Sequence, residues 1–170
     1  MSTLVVPSLR SKNEGTAAAR GMIENGSYID AEKELIMLIQ KNPSDFEALA
    51  LRGAALTRMG RHEEANDSCK KAIEANPEYG DAYVIMGEAF FRAGNYGEAA
   101  RVLQAGLKRS PTDPREASLF LADACIMASD AEGASSALES AGAKPYIALQ
   151  QRYNILLNSG LSPPKLSGCA

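Results

Sequence analysis

Residues 46–79 have the sequence FEALALRGAALTRMGRHEEANDSCKKAIEANPEY, and residues 80–113 follow with GDAYVIMGEAFFRAGNYGEAARVLQAGLKRSPTD. Identical residues stand 34 positions apart in the two stretches at Gly53 and Gly87, Gly60 and Gly94, Ala65 and Ala99, and Pro77 and Pro111. Several independent landmarks at one spacing indicate a tandem repeat, and a period of this length is typical of arrays of helix pairs.

The same period extends toward the N-terminus. Moving each landmark back by 34 residues gives Ala19, Gly26, Ala31 and Pro43, so the small residue, the glycine, the alanine and the proline all recur. A first repeat is therefore predicted over residues 12–45, with helices near 11–25 and 28–41. The glycines follow the first helix of each repeat, where a left-handed cap conformation suits them, and the prolines end the second helix.

A ring follows each turn glycine by two residues, at Tyr28, His62 and Tyr96. The recurring order of small residue, glycine, ring, alanine and proline resembles the tetratricopeptide repeat over roughly residues 12–148. Repeats two and three match it at Leu49, Gly53, Leu56, Gly60, His62, Ala65, Cys69, Ala72 and Pro77, and at Tyr83, Met86, Gly87, Phe90, Gly94, Tyr96, Ala99, Leu103, Gly106 and Pro111. The pattern breaks at Gly15, where a large residue is usual, and at Arg52, where an aliphatic one is.

This resemblance implies an all-α fold: a right-handed superhelical array of antiparallel helix pairs with about nine helices. Regular repeats are expected at 12–45, 46–79 and 80–113 within one domain over residues 11–160. A degenerate fourth repeat is expected at 115–148, because aligning Ala122 with Gly87 and Ala134 with Ala99 needs a period of 35 residues. One residue is thus inserted near Pro114, and Ser129 replaces the turn glycine.

Two further segments are predicted at the ends of the chain. A closing helix over 144–158 places Leu149, Tyr153, Leu156 and Leu157 on one stripe, with a polar outer face that keeps the end of the array soluble. Residues 161–170 form a flexible tail in this interpretation. Residues 1–10, with Leu4 to Leu9 interrupted by Pro7, favour an extended arm that is either frayed or docked into a groove of its own or a neighbouring molecule.

Composition limits the classes of function. The chain has 170 residues, 45% of them hydrophobic and 23% charged, and its formal net charge is −3. No basic stripe is visible, so nucleic acid is not expected as a partner. No apolar run approaches the roughly 18 residues of a membrane span, and a cytoplasmic location is the default expectation.

The chemistry-bearing residues do not form a catalytic constellation. His62 is the single histidine and stands where the other repeats have Tyr28 and Tyr96, so a packed ring is expected there rather than a general base. Cys69 and Cys125 fall on core positions, and Cys169, in the tail, is a candidate free thiol. We therefore expect no enzyme activity, no metal site and no cofactor.

What remains is a binding surface. In the tetratricopeptide family, partners contact the exposed side of the first helix of each repeat, which lines a concave face. The face that this resemblance implies carries Asn13, Thr16, Arg20, Glu24, Glu47, Ala50, Ala54, Thr57, Arg58, Asp81, Val84, Glu88, Phe91, Arg92, Glu116, Leu119, Asp123, Ile126 and Met127. We predict that partner binding uses twelve of these: Arg20, Ala50, Ala54, Thr57, Arg58, Val84, Glu88, Phe91, Arg92, Leu119, Asp123 and Ile126.

The roles predicted within this set differ. Ala50 and Ala54 are expected to leave a hollow, and an exposed Phe91 beside a buried Phe90 is expected to act as an apolar anchor or to pack between helices. Further apolar contact is expected from Val84, Leu119 and Ile126. The forked donors of Arg20, Arg58 and Arg92 can hold carboxylates.

One family ligand is disfavoured. Tetratricopeptide co-chaperones that capture acidic tails of heat-shock chaperones use a Lys–Asn–Asn–Lys–Arg clamp. The corresponding positions here hold Thr16, Arg20, Leu51, Asp81 and Ile85, and none of them matches.

Three hypotheses for function follow. The first is a scaffold or adaptor that holds a peptide or helical segment of a partner protein in the concave groove. The second is a cytoplasmic secretion chaperone, since chaperones of type III secretion translocators resemble this chain in size and repeat number. The third is a structural protein that assembles through the ends of the array or the N-terminal arm.

Overall fold

A computed structural model describes residues 14–143 and 145–164. The described residues form nine helices and no strand: α1 Glu14–Glu24, α2 Tyr28–Lys41, α3 Phe46–Arg58, α4 His62–Ala75, α5 Gly80–Arg92, α6 Tyr96–Leu107, α7 Pro114–Met127, α8 Ala131–Ser140 and α9 Pro145–Asn158. This is the all-α array of helix pairs that the sequence predicts. The predicted arm over residues 1–10, Asn13 and the end of the tail lie outside the described residues.

The turns within the helix pairs confirm the role of the repeated glycines. Gly26, Gly60 and Gly94 have φ angles of 82°, 78° and 82°, a left-handed conformation that glycine adopts without the strain of a side chain. In the second repeat the turn is closed by a bond of 2.9 Å in which the Arg61 amide donates to the Leu56 carbonyl oxygen. In the fourth repeat Ser129 adopts the same conformation, with φ of 65°.

The small residues in the middle of the first helices mark close helix contacts. A Cβ atom built on Gly53 would lie 2.5 Å from Cys69 Sγ on α4, and one built on Gly87 would lie 2.6 Å from Leu103 Cγ on α6. Both distances are shorter than a normal contact between non-bonded atoms. The paired helices can therefore approach this closely only because these positions lack a side chain.

Neighbouring first helices do not pack uniformly. Helix α1 packs on α3, α3 on α5 and α7 on α9, whereas the backbones of α5 and α7 barely approach each other. The wider interval coincides with the residue inserted near Pro114. Although α6 packs on α7, a gap remains between α5 and α7 that side chains must fill or line.

The closing helix α9 differs from its prediction. Leu149 and Leu156 are buried, as the stripe predicts, but Leu157 is 46% exposed and Ile155, which the stripe omits, is 43% exposed. Gln150, Gln151 and Asn154 are exposed, so the predicted polar outer face is present, but the two apolar side chains interrupt it. The physical reason is that α9, unlike α1, α3, α5 and α7, has no following helix among the described residues to cover its second apolar side.

Candidate partner-binding groove

A groove of about 770 Å³ opens where α5 and α7 diverge. Its walls come from the C-terminal ends of α3 and α5, from α7, and from α9 with the segment that follows it. The lining residues are Thr57, Arg58, Gly60, His62, Val84, Glu88, Phe91, Arg92, Ala93, Gly94, Tyr96, Glu116, Ala117, Leu119, Phe120, Asp123, Arg152, Ile155, Leu156, Ser159 and Leu161.

Eight of the twelve predicted partner-binding residues line this groove: Thr57, Arg58, Val84, Glu88, Phe91, Arg92, Leu119 and Asp123. The other four do not. Ala50, Ala54 and Ile126 are buried, so the exposure and the hollow predicted for them are wrong. They lie in the two main apolar cores because first helices are covered from both neighbouring pairs. Arg20 is half-buried on α1, away from the groove.

Phe91 is packed between helices, so the exposure predicted for it is wrong. Only 6% of it is accessible, while its neighbour Phe90 is half-buried. The Phe91 ring lies 5.1 Å from the ring of Phe120 on α7 and 5.2 Å from that of Tyr96 on α6. These are ordinary distances for packed aromatic pairs. Phe91 thus spans the gap between α5 and α7 and supports the groove.

A buried carboxylate organises the basic side of the groove. Glu88 is 6% exposed, and the Nε of Arg92 donates to its Oε1 over 2.8 Å. The Nε of Arg58 lies 3.4 Å from the same oxygen. Two guanidinium groups therefore share one carboxylate. The terminal nitrogens of Arg92 make no hydrogen bond with the described residues, so they remain available as donors.

A second ion pair fixes α9 against the groove. Asp123 on α7 is 4% exposed and accepts two hydrogen bonds from Arg152 on α9, from its Nε to Oδ1 over 2.7 Å and from its Nη2 to Oδ2. Burial raises the pKa of the Asp123 carboxyl, and Arg152 opposes this rise. The bidentate geometry sets the position of α9 as one wall of the groove.

An acidic group on α7 also lines the groove. Glu116 is half-buried in the first turn of α7 and makes no ion pair with the described residues. Burial, and then the nearby charges of Asp113 and Glu88, raise the pKa of its carboxyl, which Arg58 lowers to a smaller extent. The groove therefore presents uncommitted groups of both signs: the Arg92 donors and the Glu116 carboxylate.

The cysteines and acidic residues offer no second kind of site. Cys69 and Cys125 are buried free thiols, which confirms their predicted core positions. Burial raises the pKa of the Cys125 thiol to about 11 and that of Cys69 further, so neither is ionised near neutral pH. Among residues 14–143 and 145–164, no group of His, Cys, Asp and Glu could hold a metal ion. No helix in the same ranges could cross a membrane.

Two models of the tetratricopeptide repeat match the sequence, one over residues 16–80 and one over residues 56–119. Together they cover more than half of the chain and include the turns and helix contacts described above. The chain belongs to the tetratricopeptide repeat family. No curated protein is significantly similar to it in sequence.

Solved tetratricopeptide structures share the fold. The thermophilic protein TTC0263 from Thermus thermophilus has a TM-score of 0.68 at 19% identity, over 86% of this chain and 83% of that one. The TPR2B domain of yeast Sti1, in a complex with pHsp70, has 0.53 at 25% identity, over 82% and 99%. A structure of Naa15/Naa10 bound to HypK-THB has 0.68 at 19% identity over 89% of this chain, which spans only 26% of that one.

The sequence prediction missed the contribution of α9 to this tetratricopeptide groove. Arg152, Ile155 and Leu156 of α9 line it, as do Leu161 after the helix and Phe120 on α7. The sequence of α9 did indicate this contribution, because its apolar residues are not confined to one stripe. A helix that is apolar on two sides covers one side against the array and leaves the other to line a surface.

Proposed function

We propose that this chain is a protein-interaction module that holds a short segment of a partner protein in the groove between α5 and α7. The observation that carries the proposal is a concave, partly apolar groove with uncommitted polar groups on its rim. Its volume of about 770 Å³ lies within the range of ligand-binding sites, roughly 300–1,000 Å³. That size favours a segment of a few residues over a long helix.

Apolar contact in the groove would come from side chains that remain accessible. Leu119 is half-buried on α7, and Ile155 is 43% exposed on α9, so the two neighbouring helices each offer apolar area to the groove. Covering an accessible apolar side chain of this size contributes on the order of 1 kcal/mol or more. We propose that one apolar side chain of the partner enters between them.

Charged groups would fix the orientation of the bound segment. The terminal donors of Arg92 suit a carboxylate or a backbone carbonyl oxygen, and Glu116 suits a basic side chain or a backbone amide. Because these two groups lie on different helices, we propose that the partner segment carries its acidic and basic groups on either side of the apolar residue. Such an arrangement sets direction and specificity more than affinity.

The proposal can be tested with peptides selected against the full chain from a random library. We expect the best of them to lose at least about tenfold in affinity when Ile155 is replaced by Arg, measured by titration calorimetry. Ile155 is exposed, so this substitution leaves the fold intact, which circular dichroism checks. Arg92→Glu is expected to weaken binding as well, through the loss of the rim donors.

A matched control is Gln104→Arg, which places the same side chain on the outer face of α6, away from the groove. Its affinity for the selected peptides should equal that of the wild type. Equal binding by wild type, Ile155→Arg and Arg92→Glu would show that the groove is not the site. Failure to select any binding peptide would also contradict the proposal.

A further inference from the structure

The outer face of α2 carries an apolar stripe that the fold does not use. Ile29 is 64% exposed, Met37 is 48% exposed and Ile36 is 37% exposed. Successive residues of an α-helix are about 100° apart, so these three residues, seven and eight positions apart, share one side of the helix. Among the described residues α2 packs only on α1 and α3, with its inner face of Ala31 and Leu35.

The other repeats show that this stripe is not required by the architecture. At the positions 34 residues further on, α4 has the exposed charged residues Glu63, Lys70 and Lys71, and α6 has Gly97, Gln104 and Ala105. The equivalent helices therefore fold with polar or small outer residues. Large apolar residues at all three positions are peculiar to the first repeat, and exposed apolar stripes of this kind mark interaction surfaces.

The stripe is complementary to itself. When two copies of α2 pair in antiparallel fashion with Lys33 on the two-fold axis, residue 29 of one helix lies opposite residue 37 of the other and about 1.5 Å along the axis from residue 36, and the two Lys33 residues face each other. Ile29 then fits between Ile36 and Met37 of the second copy, and the symmetry makes this contact twice. Three side chains thus form two equal apolar contacts, which is the pattern expected of a helix face that pairs with its own copy.

The charges around the stripe permit this pairing. Lys33 lies between the apolar residues and is held by Asp30, whose Oδ1 is 3.2 Å from its Nζ. Glu34 and Lys41 flank the stripe on the side of Met37, and Glu32, on the side of Ile36, is paired with Arg52 and Arg61. The two Lys33 ammonium groups meet on the axis, and the Asp30 carboxylate beside each of them offsets their repulsion.

We propose that the chain associates with a second copy through antiparallel pairing of the outer faces of α2. The proposal does not depend on the proposed function, because no residue of α2 lines the groove. Three apolar side chains on each copy make a small interface, so we expect a weak and reversible dimer.

Sedimentation equilibrium of the full chain over a range of concentrations tests the association. Ile29→Glu gives the first repeat the residue that the second repeat has at Glu63, and each substitution acts twice in a symmetric interface. We expect the dissociation constant of the dimer to rise by at least about tenfold. Gln104→Glu introduces the same residue at the position in α6 that is equivalent to Ile36, and it should leave the constant unchanged.

Disulfide trapping tests the register. In a Cys169→Ser background, Lys33→Cys places a thiol on the two-fold axis, and we expect it to form a disulfide between two copies under mild oxidation. Asp67→Cys, at the equivalent position of α4, should not, and the buried Cys69 and Cys125 are protected in both variants.

Three results would overturn the proposal. The first is a wild type that stays monomeric at every concentration, which would mean that α2 does not pair with a second copy. The second is a dimer that Ile29→Glu does not weaken, which would place the interface elsewhere. The third is equal cross-linking by Asp67→Cys and Lys33→Cys. None of these results bears on peptide binding in the groove, so the two proposals fail separately.

Discussion

At the scale of single residues, an aromatic bridge shapes the candidate site. Phe91 on α5 and Phe120 on α7 lie 5.1 Å apart, and both are 6% exposed. The backbones of these two helices barely approach each other, and the ring contact joins them directly. The groove exists because two aromatic side chains fill the inner part of the gap and leave the outer part open.

Replacing Phe91 by Ala should therefore be costly. Loss of a buried phenylalanine removes its apolar contacts and leaves a cavity, and we expect the free energy of unfolding to fall by about 3–5 kcal/mol. Urea denaturation followed by circular dichroism measures the change. Leu157→Ala is a suitable control, since this side chain is 46% exposed and its loss should cost about 0.5 kcal/mol or less. Similar losses from both substitutions would contradict the bridging role of Phe91.

The same residue shows where sequence reasoning reaches its limit. The order of the repeat identifies both Phe90 and Phe91 as part of α5, but adjacent residues on a helix point about 100° apart. Which of them is buried depends on the distance between α5 and α7, and no repeated residue encodes that distance. The prediction therefore chose the right helix and the wrong ring.

At the scale of helices, close packing within each pair sets the repeat. Helix α3 lies so near α4 that a Cβ atom on Gly53 would be 2.5 Å from Cys69 Sγ and 3.3 Å from the Ala65 carbonyl oxygen. In the first repeat the equivalent position is Ala19, which is fully buried. The equivalents of Cys69 are Leu35 in the first repeat and Leu103 in the third, so the residue type across the pair does not by itself set the size tolerated at this position. In the second repeat, the clash expected at Gly53 depends on its contact with Cys69.

A double-substitution cycle tests this dependence. Gly53→Ala improves helix propensity by about 1 kcal/mol, yet we expect a net loss of about 1–3 kcal/mol in the free energy of unfolding because of the clash with Cys69. Adding Cys69→Ala removes the sulfur and should recover part of the loss. Urea denaturation of the two single variants and the double variant gives the coupling energy. Strictly additive effects would mean that the clash does not determine the choice of glycine.

The helices and the contacts within each helix pair were largely predictable from the sequence. The 34-residue period predicts the helices, the left-handed turns at Gly26, Gly60 and Gly94, and the small residues at helix contacts, because these residues serve packing within each repeat. The groove depends on what differs between repeats. Asp123 lies on α7, and its partner Arg152 lies on α9, a closing helix outside the four repeats. The period therefore could not predict their ion pair.

At the scale of the whole molecule, α9 couples the end of the array to the groove through Asp123 and Arg152. Burial raises the pKa of Asp123, so the native state binds that proton more tightly than the unfolded chain does. A carboxyl group of this kind contributes stability that is fully present below its ordinary pKa and is lost as the pH rises through its folded pKa. The free energy of unfolding therefore falls as the pH rises through this range.

We accordingly expect the wild type to lose stability relative to Asp123→Asn as the pH rises from about 4 to about 7. Urea midpoints of the two proteins at several pH values measure this difference, and Glu132→Gln, at an exposed position of α8, serves as the control. A difference that grows in the opposite direction would mean that the ion pair with Arg152, rather than burial, dominates the titration of Asp123.

The central claim is that the groove between α5 and α7 receives a partner segment, and amide chemical-shift mapping by NMR tests it most directly. A library-selected peptide is titrated into isotope-labelled full-length protein. We expect the largest shifts at Arg92, Leu119, Ile155 and their neighbours, with little change on the outer faces of α4 and α6. Shifts confined to those outer faces, with none in α5, α7 and α9, would contradict the claim.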